Sequence, residues 1–179
     1  MITITGQRAS RLLIYFGKLL QLTLLCAAVL LSAILILLLG MNLALRIEHI
    51  EYGLFLQGGT LALTGALSLL PLHLFLSLAY GQGASIGAGC GGFLIAGMIG
   101  TTTIGDAIWQ FVPWAWSVRL SWNPILFMPN LSLGKTIQLA EVYQQNMDKG
   151  LAPVLICFLF LTLLGIVWFG KWEGRKSYE

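Results

Sequence analysis

Among the His, Lys, Arg, Asp and Glu side chains of this sequence, only His73 sits deep inside an apolar run. An ionisable group at membrane depth either handles a proton or substrate, or stays neutral and hydrogen-bonds a carbonyl of a neighbouring helix. Pro71, two residues earlier, has no N–H to donate, so it frees a backbone carbonyl and bends the run. No carboxylate lies near His73 in sequence, and a proton-handling role would have to recruit Asp106. Cys26, Cys90 and Cys157 fall in apolar runs and form no close pair with His, the pattern of small buried hydrophobes.

Two glycine-rich stretches imitate nucleotide sites. Gly87-Ala88-Gly89-Cys90-Gly91-Gly92 matches G-x-G-x-x-G, yet no βαβ pattern surrounds it and no acidic residue follows at the required distance. Helix packing explains it better. Gly83, Gly87 and Gly91 recur every four residues, as do Gly92, Ala96 and Gly100, giving bare stripes along which another helix can approach closely. A flexible gating helix is the other reading. Gly134-Lys135-Thr136 resembles the end of a phosphate loop, but Pro129 stands where its first glycine belongs. No cofactor site is expected on this chain, no metal cluster of His, Cys and carboxylates is seen, and no catalytic triad; any ATP would be hydrolysed on a partner.

The segment Trp109-Gln110-Phe111-Val112-Pro113-Trp114-Ala115-Trp116 is dense in aromatic rings. Indoles settle at the boundary of water and lipid because the ring is apolar while the N–H stays wet. Pro113, Trp122, Pro124 and Pro129 around it predict a short re-entrant or surface-lying element. Asn130-Leu131-Ser132 fits a glycosylation sequon, a pattern too common to weigh.

The elements that must hold these residues follow from charge. No Lys, Arg, Asp or Glu occurs between Tyr52 and Gly105, and two further charge-free runs cover 19–45 and 150–170. About 20 apolar helical residues cross a bilayer, and two such spans joined by a turn fit the longest run. Hydrophobic residues make up 58% of the 179 and charged ones 9%, against roughly 25% charged in soluble domains, which leaves little for a separate soluble domain. We expect an all-α polytopic membrane bundle of about four transmembrane helices, at 19–43, 53–79, 85–105 and 151–170, plus an external aromatic and helical segment at 106–150. Lys135 to Met147 reads as a helix lying outside.

Arg8, Arg11 and Lys18 precede the first span; Lys171, Arg175 and Lys176 follow the last. Basic residues near span ends stay on the cytoplasmic side, so both termini are expected to be cytoplasmic. Arg8, Arg11 and Lys18 also fit a basic amphipathic lead-in lying among headgroups, or a plain positive flank. A net charge of +3, scattered along the chain, gives no sign of a nucleic-acid partner.

The order of features resembles the small bacterial export permeases of the ABC-2 type, and among them the lantibiotic-immunity permease subunits. The likeness rests on Pro71-Leu72-His73-Leu74-Phe75-Leu76-Ser77, on Ser85-Ile86-Gly87-Ala88-Gly89 and on Phe111-Val112-Pro113-Trp114-Ala115-Trp116, with Arg11 to Leu20 similar to the approach to that family's third helix. Members usually have six spans, and this chain corresponds to the last four. The resemblance implies a permease subunit that works with a cytoplasmic ATPase subunit and a second permease chain or a second copy of itself. Its implied substrate is a membrane-active peptide such as a lantibiotic, expelled from the outer face. Trp109, Phe111, Trp114 and Trp116 are then the candidate substrate mouth. An ion- or proton-coupled carrier half built on His73 and Asp106, and a non-transporting membrane scaffold, are the competing readings.

Overall fold

A computed structural model describes residues 11–128 and 136–171. Asn130 to Ser132, Gly134, Lys135, Arg8 and the charged tail after Lys171 lie outside the described residues. Every described regular element is helical: α1 (Arg11–Leu39), α2 (Tyr52–Leu67), α3 (Leu69–Tyr80), α4 (Gln82–Thr101), α5 (Pro113–Trp122) and α6 (Thr136–Lys171), joined by short π and 3₁₀ turns.

Three helices are long and apolar enough to cross a membrane, at Leu12–Ala44, Gln82–Thr101 and Leu139–Lys171, and the bent pair α2–α3 brings the number to four if its halves count as one span. The distribution of burial agrees with that solvent. None of the most apolar stretch of α1 is buried, and Val29 and Ile36 on it are 69% and 70% exposed. Such a surface would aggregate in water; in lipid it is the expected exterior. The chain is a multi-pass membrane protein with an all-α bundle.

Local sequence explains the breaks. Proline at 71 cannot bond the carbonyl four residues back, on Leu67, and α2 ends at Leu67. The chain bends by 45° between α2 and α3, with Ser68 fully buried at the corner and its hydroxyl donating to the Gly65 carbonyl at 3.4 Å. Between α3 and α4 the turn is a single residue, Gly81, at φ 95°, a backbone state that side chains resist. The end of α1 widens into a π turn, Gly40–Ala44, closed by the Leu45 N–H on the Gly40 carbonyl.

The last helix departs from expectation. Instead of an outside helix and a separate span, α6 runs unbroken for 36 residues through Gly150 and Pro153. At 1.5 Å per residue it is about 54 Å long, against a hydrocarbon layer of about 30 Å. Its first turns, carrying Glu141, Gln144, Asp148 and Lys149, therefore project beyond the layer. Two small cores tie the bundle together. One joins Tyr15, Leu19, Leu74 and Phe169 at the Tyr80 end; the other joins Leu61, Trp109, Ala115, Trp116, Leu120 and Val154 at the Thr101 end.

Candidate functional site: a helix that re-enters the bundle

The second core is built around α5, and glycines on its neighbours record how deep it goes. A Cβ on Gly100 of α4 would meet Val118 at 2.8 Å, and one on Gly92 would run into the Trp114 indole. On α2, a Cβ on Gly65 would lie 2.5 Å from the Ser117 backbone nitrogen, and one on Gly58 would lie 3.1 Å from the Ser121 carbonyl oxygen. These pairings make α5 parallel to α4 and antiparallel to α2. The chain leaves the end of α4 at Thr101, turns back, and climbs out again along α5, whose Val118 lies at the level of Gly100. From Pro113, where α5 begins, to Val118 is five steps, about 7.5 Å, or about a quarter of a 30 Å hydrocarbon layer, and the Trp114 indole reaches further, to Gly92.

Backbone at that depth must satisfy its own polar groups or be enclosed by protein. The descending leg does the first, and of residues 102–111 only Gly105 and Trp109 are buried. Gly105, Asp106, Ile108, Phe111 and Val112 each donate to a carbonyl three residues back. The buried Trp116 donates from its indole to the Gln110 carbonyl at 3.0 Å, stapling the leg to α5. Pro113 begins α5, where a missing N–H costs nothing because the first turn has no partner for it.

Arg119 clamps the hairpin to α4. Its Nη1 donates to Asp106 Oδ1 at 2.7 Å, its Nη2 to the carbonyls of Ile99 at 3.0 Å and Thr102 at 2.6 Å, and its Nε to Ile99 again at 3.3 Å. The Ile99 carbonyl belongs to the last turn of α4, its partly negative end, where a cation is most useful, and Thr102 follows directly after it. Gly105 makes the approach possible, since a Cβ there would strike the Ile99 carbonyl. Beside the clamp a cavity of about 260 Å³ opens between Gly100, Thr101, Arg119, Trp122, Asn123 and Asn146. Asn123 is 2% exposed, and its Oδ1 accepts from Asn146 Nδ2 at 2.9 Å.

The structure separates the four aromatic residues of the expected mouth. Trp109 and Trp116 are buried in the core at 4% and 3% exposure, so they line no opening here. Trp114 lies over Gly92 with its indole N–H unpartnered, and Phe111, at 74% exposure, faces outward. A Cβ on Gly83, Gly87 or Gly91 would meet nothing within 4 Å among the described residues, so that stripe makes no close contact inside the bundle, whereas Gly92 and Gly100 of the second series lie against α5. Two neighbouring faces of one helix carry small residues, and a four-residue repeat does not say which meets a neighbour.

His73 Nδ1 lies 3.0 Å from the Ser85 hydroxyl across α3 and α4, a side-chain partner where a backbone carbonyl was expected. Ser85 and the Asp106 turn stand at opposite ends of α4, about 25 Å apart by helix rise, so these two groups do not form a pair. Among the described residues no three His, Cys, Asp or Glu side chains gather to hold a metal. Sequence reasoning passed over Arg119, Asn123 and Asn146. One signal pointed at the first: Arg119 is the only Lys or Arg between Arg46 and Lys135.

No family model matches this chain, and no curated protein or solved structure matches it.

Proposed function

We propose that this chain is the permease subunit of an ATP-driven exporter, with ATP hydrolysed on a cytoplasmic partner and the re-entrant hairpin forming the wall of the substrate path. The observation that carries the reading is the hairpin itself. Interrupted helices at membrane depth, here α5 beside the α2–α3 corner, occur where backbone lines a path or site, because lipid cannot satisfy them. An inert scaffold has no need of such an element. The resemblance to ABC-2 type permeases supplies the finer terms: a bacterial cell membrane, both termini cytoplasmic, a second permease chain or copy, and a membrane-active peptide such as a lantibiotic as cargo. Phe111, exposed at the turn of the hairpin, and the outer edge of Trp114 are the aromatic surface such an amphipathic peptide would first meet from the lipid side.

The test begins with a tagged chain solubilised in mild detergent from its own cells. An ATPase subunit should copurify, and expression of the recovered set should raise tolerance in a growth-inhibition titration against a lantibiotic panel, with an ATPase-dead control. Recovery of the chain without any ATPase refutes the ATP-driven reading. Equal sensitivity with the active and dead ATPase across the panel refutes the peptide cargo.

A further inference from the structure

The pairing of α1 with α6 brings the start of one helix and the end of the other to the same face of the membrane. Tyr15, near the start of α1, packs its ring on Phe169 at 5.9 Å, two residues before α6 ends at Lys171. The charge that the sequence attaches to this end is one-sided: residues 1–18 and 171–179 carry six Lys or Arg against two Glu. Lys18 and Lys171 are exposed, and the ion pair found among the described residues joins Arg119 to Asp106 at the opposite end of the bundle. Neither lysine therefore has a carboxylate partner among the described residues. Beside this end a trough of about 720 Å³ runs between the same two helices, walled by Leu13, Gly17, Leu20 and Thr23 of α1 and by Leu159 and Leu163 of α6. Gly17 leaves it open, since a Cβ there would meet nothing within 4 Å.

Length, width and charge select the occupant. From Leu13 to Thr23 is ten steps of helix, about 15 Å, which is half of a 30 Å hydrocarbon layer and so the depth of one leaflet. About 720 Å³ over that length makes a trough narrower than the 10–12 Å of a helix with its side chains, so a second copy could cover it without filling it. An acyl chain is slimmer and lies along it. At the Leu13 end such a chain joins its headgroup, and there the unpaired lysines and their basic sequence neighbours set up a positive potential. Helical side chains lean toward the start of their helix, so Lys18 extends toward that level. The field reaches a phosphate across about 8 Å at physiological salt without requiring contact with any one lysine. We propose that an anionic phospholipid docks between α1 and α6, its acyl chain in the trough and its phosphate in the field of the cations at the Leu13 end. The proposal goes beyond the permease reading and rests only on the chain lying in a membrane.

The full chain is held in dodecyl maltoside and titrated with dioleoyl phosphatidylglycerol or with dioleoyl phosphatidylcholine, which share their chains and differ in charge. Native mass spectrometry counts the one-lipid adduct. The phosphatidylglycerol midpoint should lie about fivefold or more below that of phosphatidylcholine, the size expected of even one lysine near an anionic headgroup. Gly17→Leu fills the trough from a position with room for it, and should raise the phosphatidylglycerol midpoint about fivefold, whereas Gly87→Leu, an equal change into open space on α4, should leave it unchanged. Leu163→Phe, at an exposed wall position, is a second filling variant that should act as Gly17→Leu does should the latter fail to fold. Replacing Lys18 and Lys171 together with Gln should narrow the gap between the two lipids. Equal midpoints for the two lipids on the native chain overturn the proposal. So does a gap unchanged by the double lysine variant, or a phosphatidylglycerol midpoint that the filling variants leave in place. A species of twice the chain's mass that the filling variants abolish would assign the trough to a second copy, and overturn it as well.

Discussion

The closest backbone approach around α5 is at Gly65, and it gives the sharpest test of the re-entrant packing. Alanine at this position would bring its Cβ to 2.5 Å from Ser117 N, 2.6 Å from Ser117 Cα and 2.7 Å from the Trp116 carbonyl carbon. Carbon contacts are most favourable at about 3.5–4.0 Å, so α5 would have to retreat from α2 by about 1 Å. A gap of that size forfeits a quarter to a half of each lost contact, and here three backbone atoms are involved that no rotamer change can move. Overpacking of this kind costs about 1–3 kcal/mol, set against about 1 kcal/mol gained when alanine replaces glycine in a helix. The comparator is Gly87→Ala, which makes the same chemical change into open space and should be neutral or slightly stabilising. Unfolding in a graded series of dodecyl sulfate in maltoside micelles, followed by tryptophan fluorescence, measures the difference. Gly65→Ala should unfold at lower denaturant than the native chain, and Gly87→Ala at the same point or higher. Equal midpoints for the two variants would refute the assignment of α5 to the interior.

Arg119→Lys keeps the charge but loses the forked set of donors, leaving α4 carbonyls unpaired at about 1–3 kcal/mol; faster hydrogen exchange over 99–112 than in the native chain is the expected sign. Trp116→Ala should cost about 3–5 kcal/mol in the same unfolding assay because the ring is interior, whereas Phe111→Ala should stay within about 0.5 kcal/mol, so a loss of peptide tolerance in Phe111→Ala reports on the surface rather than on folding. In a variant without native cysteines, a single Cys at Gln145 should react with an impermeant thiol reagent on intact cells and one at Gln82 should not; the opposite pattern reverses the orientation.

Much of the scaffold was legible. Charge-free runs located the crossings because lipid penalises charge more strongly than any local preference, and Pro71 marked the corner because it removes one particular hydrogen bond. The aromatic segment was also legible as re-entrant or surface-lying, although sequence did not choose between the two. Composition there reports affinity for an interface, and a buried Trp116 and an exposed Phe111 look alike in that measure. The sequence separates an outside helix, Lys135 to Met147, from a span at 151–170. In the structure Gly150 instead makes room for Leu120, whose Cδ2 would lie 2.6 Å from a Cβ there, so its small size serves α5 rather than a turn. Asn123 and Asn146 were invisible because their pairing joins residues 23 apart in sequence, and nothing local announces it.

The continuity of α6 has a mechanical meaning. At its Lys171 end the helix is gripped by the core around Tyr15 and Phe169, and at the other it carries Asn146 and Met147 against Asn123. From Lys171 to Asn146 is 25 steps, about 37 Å of rod. With its foot as pivot, a tilt of only about 5° would carry Asn146 sideways by about 3 Å, as far as a hydrogen bond is long. Such a lever needs no message passed from side chain to side chain. Val154 and Gly150, packed against α5 between the two ends, are the contacts that resist such a tilt.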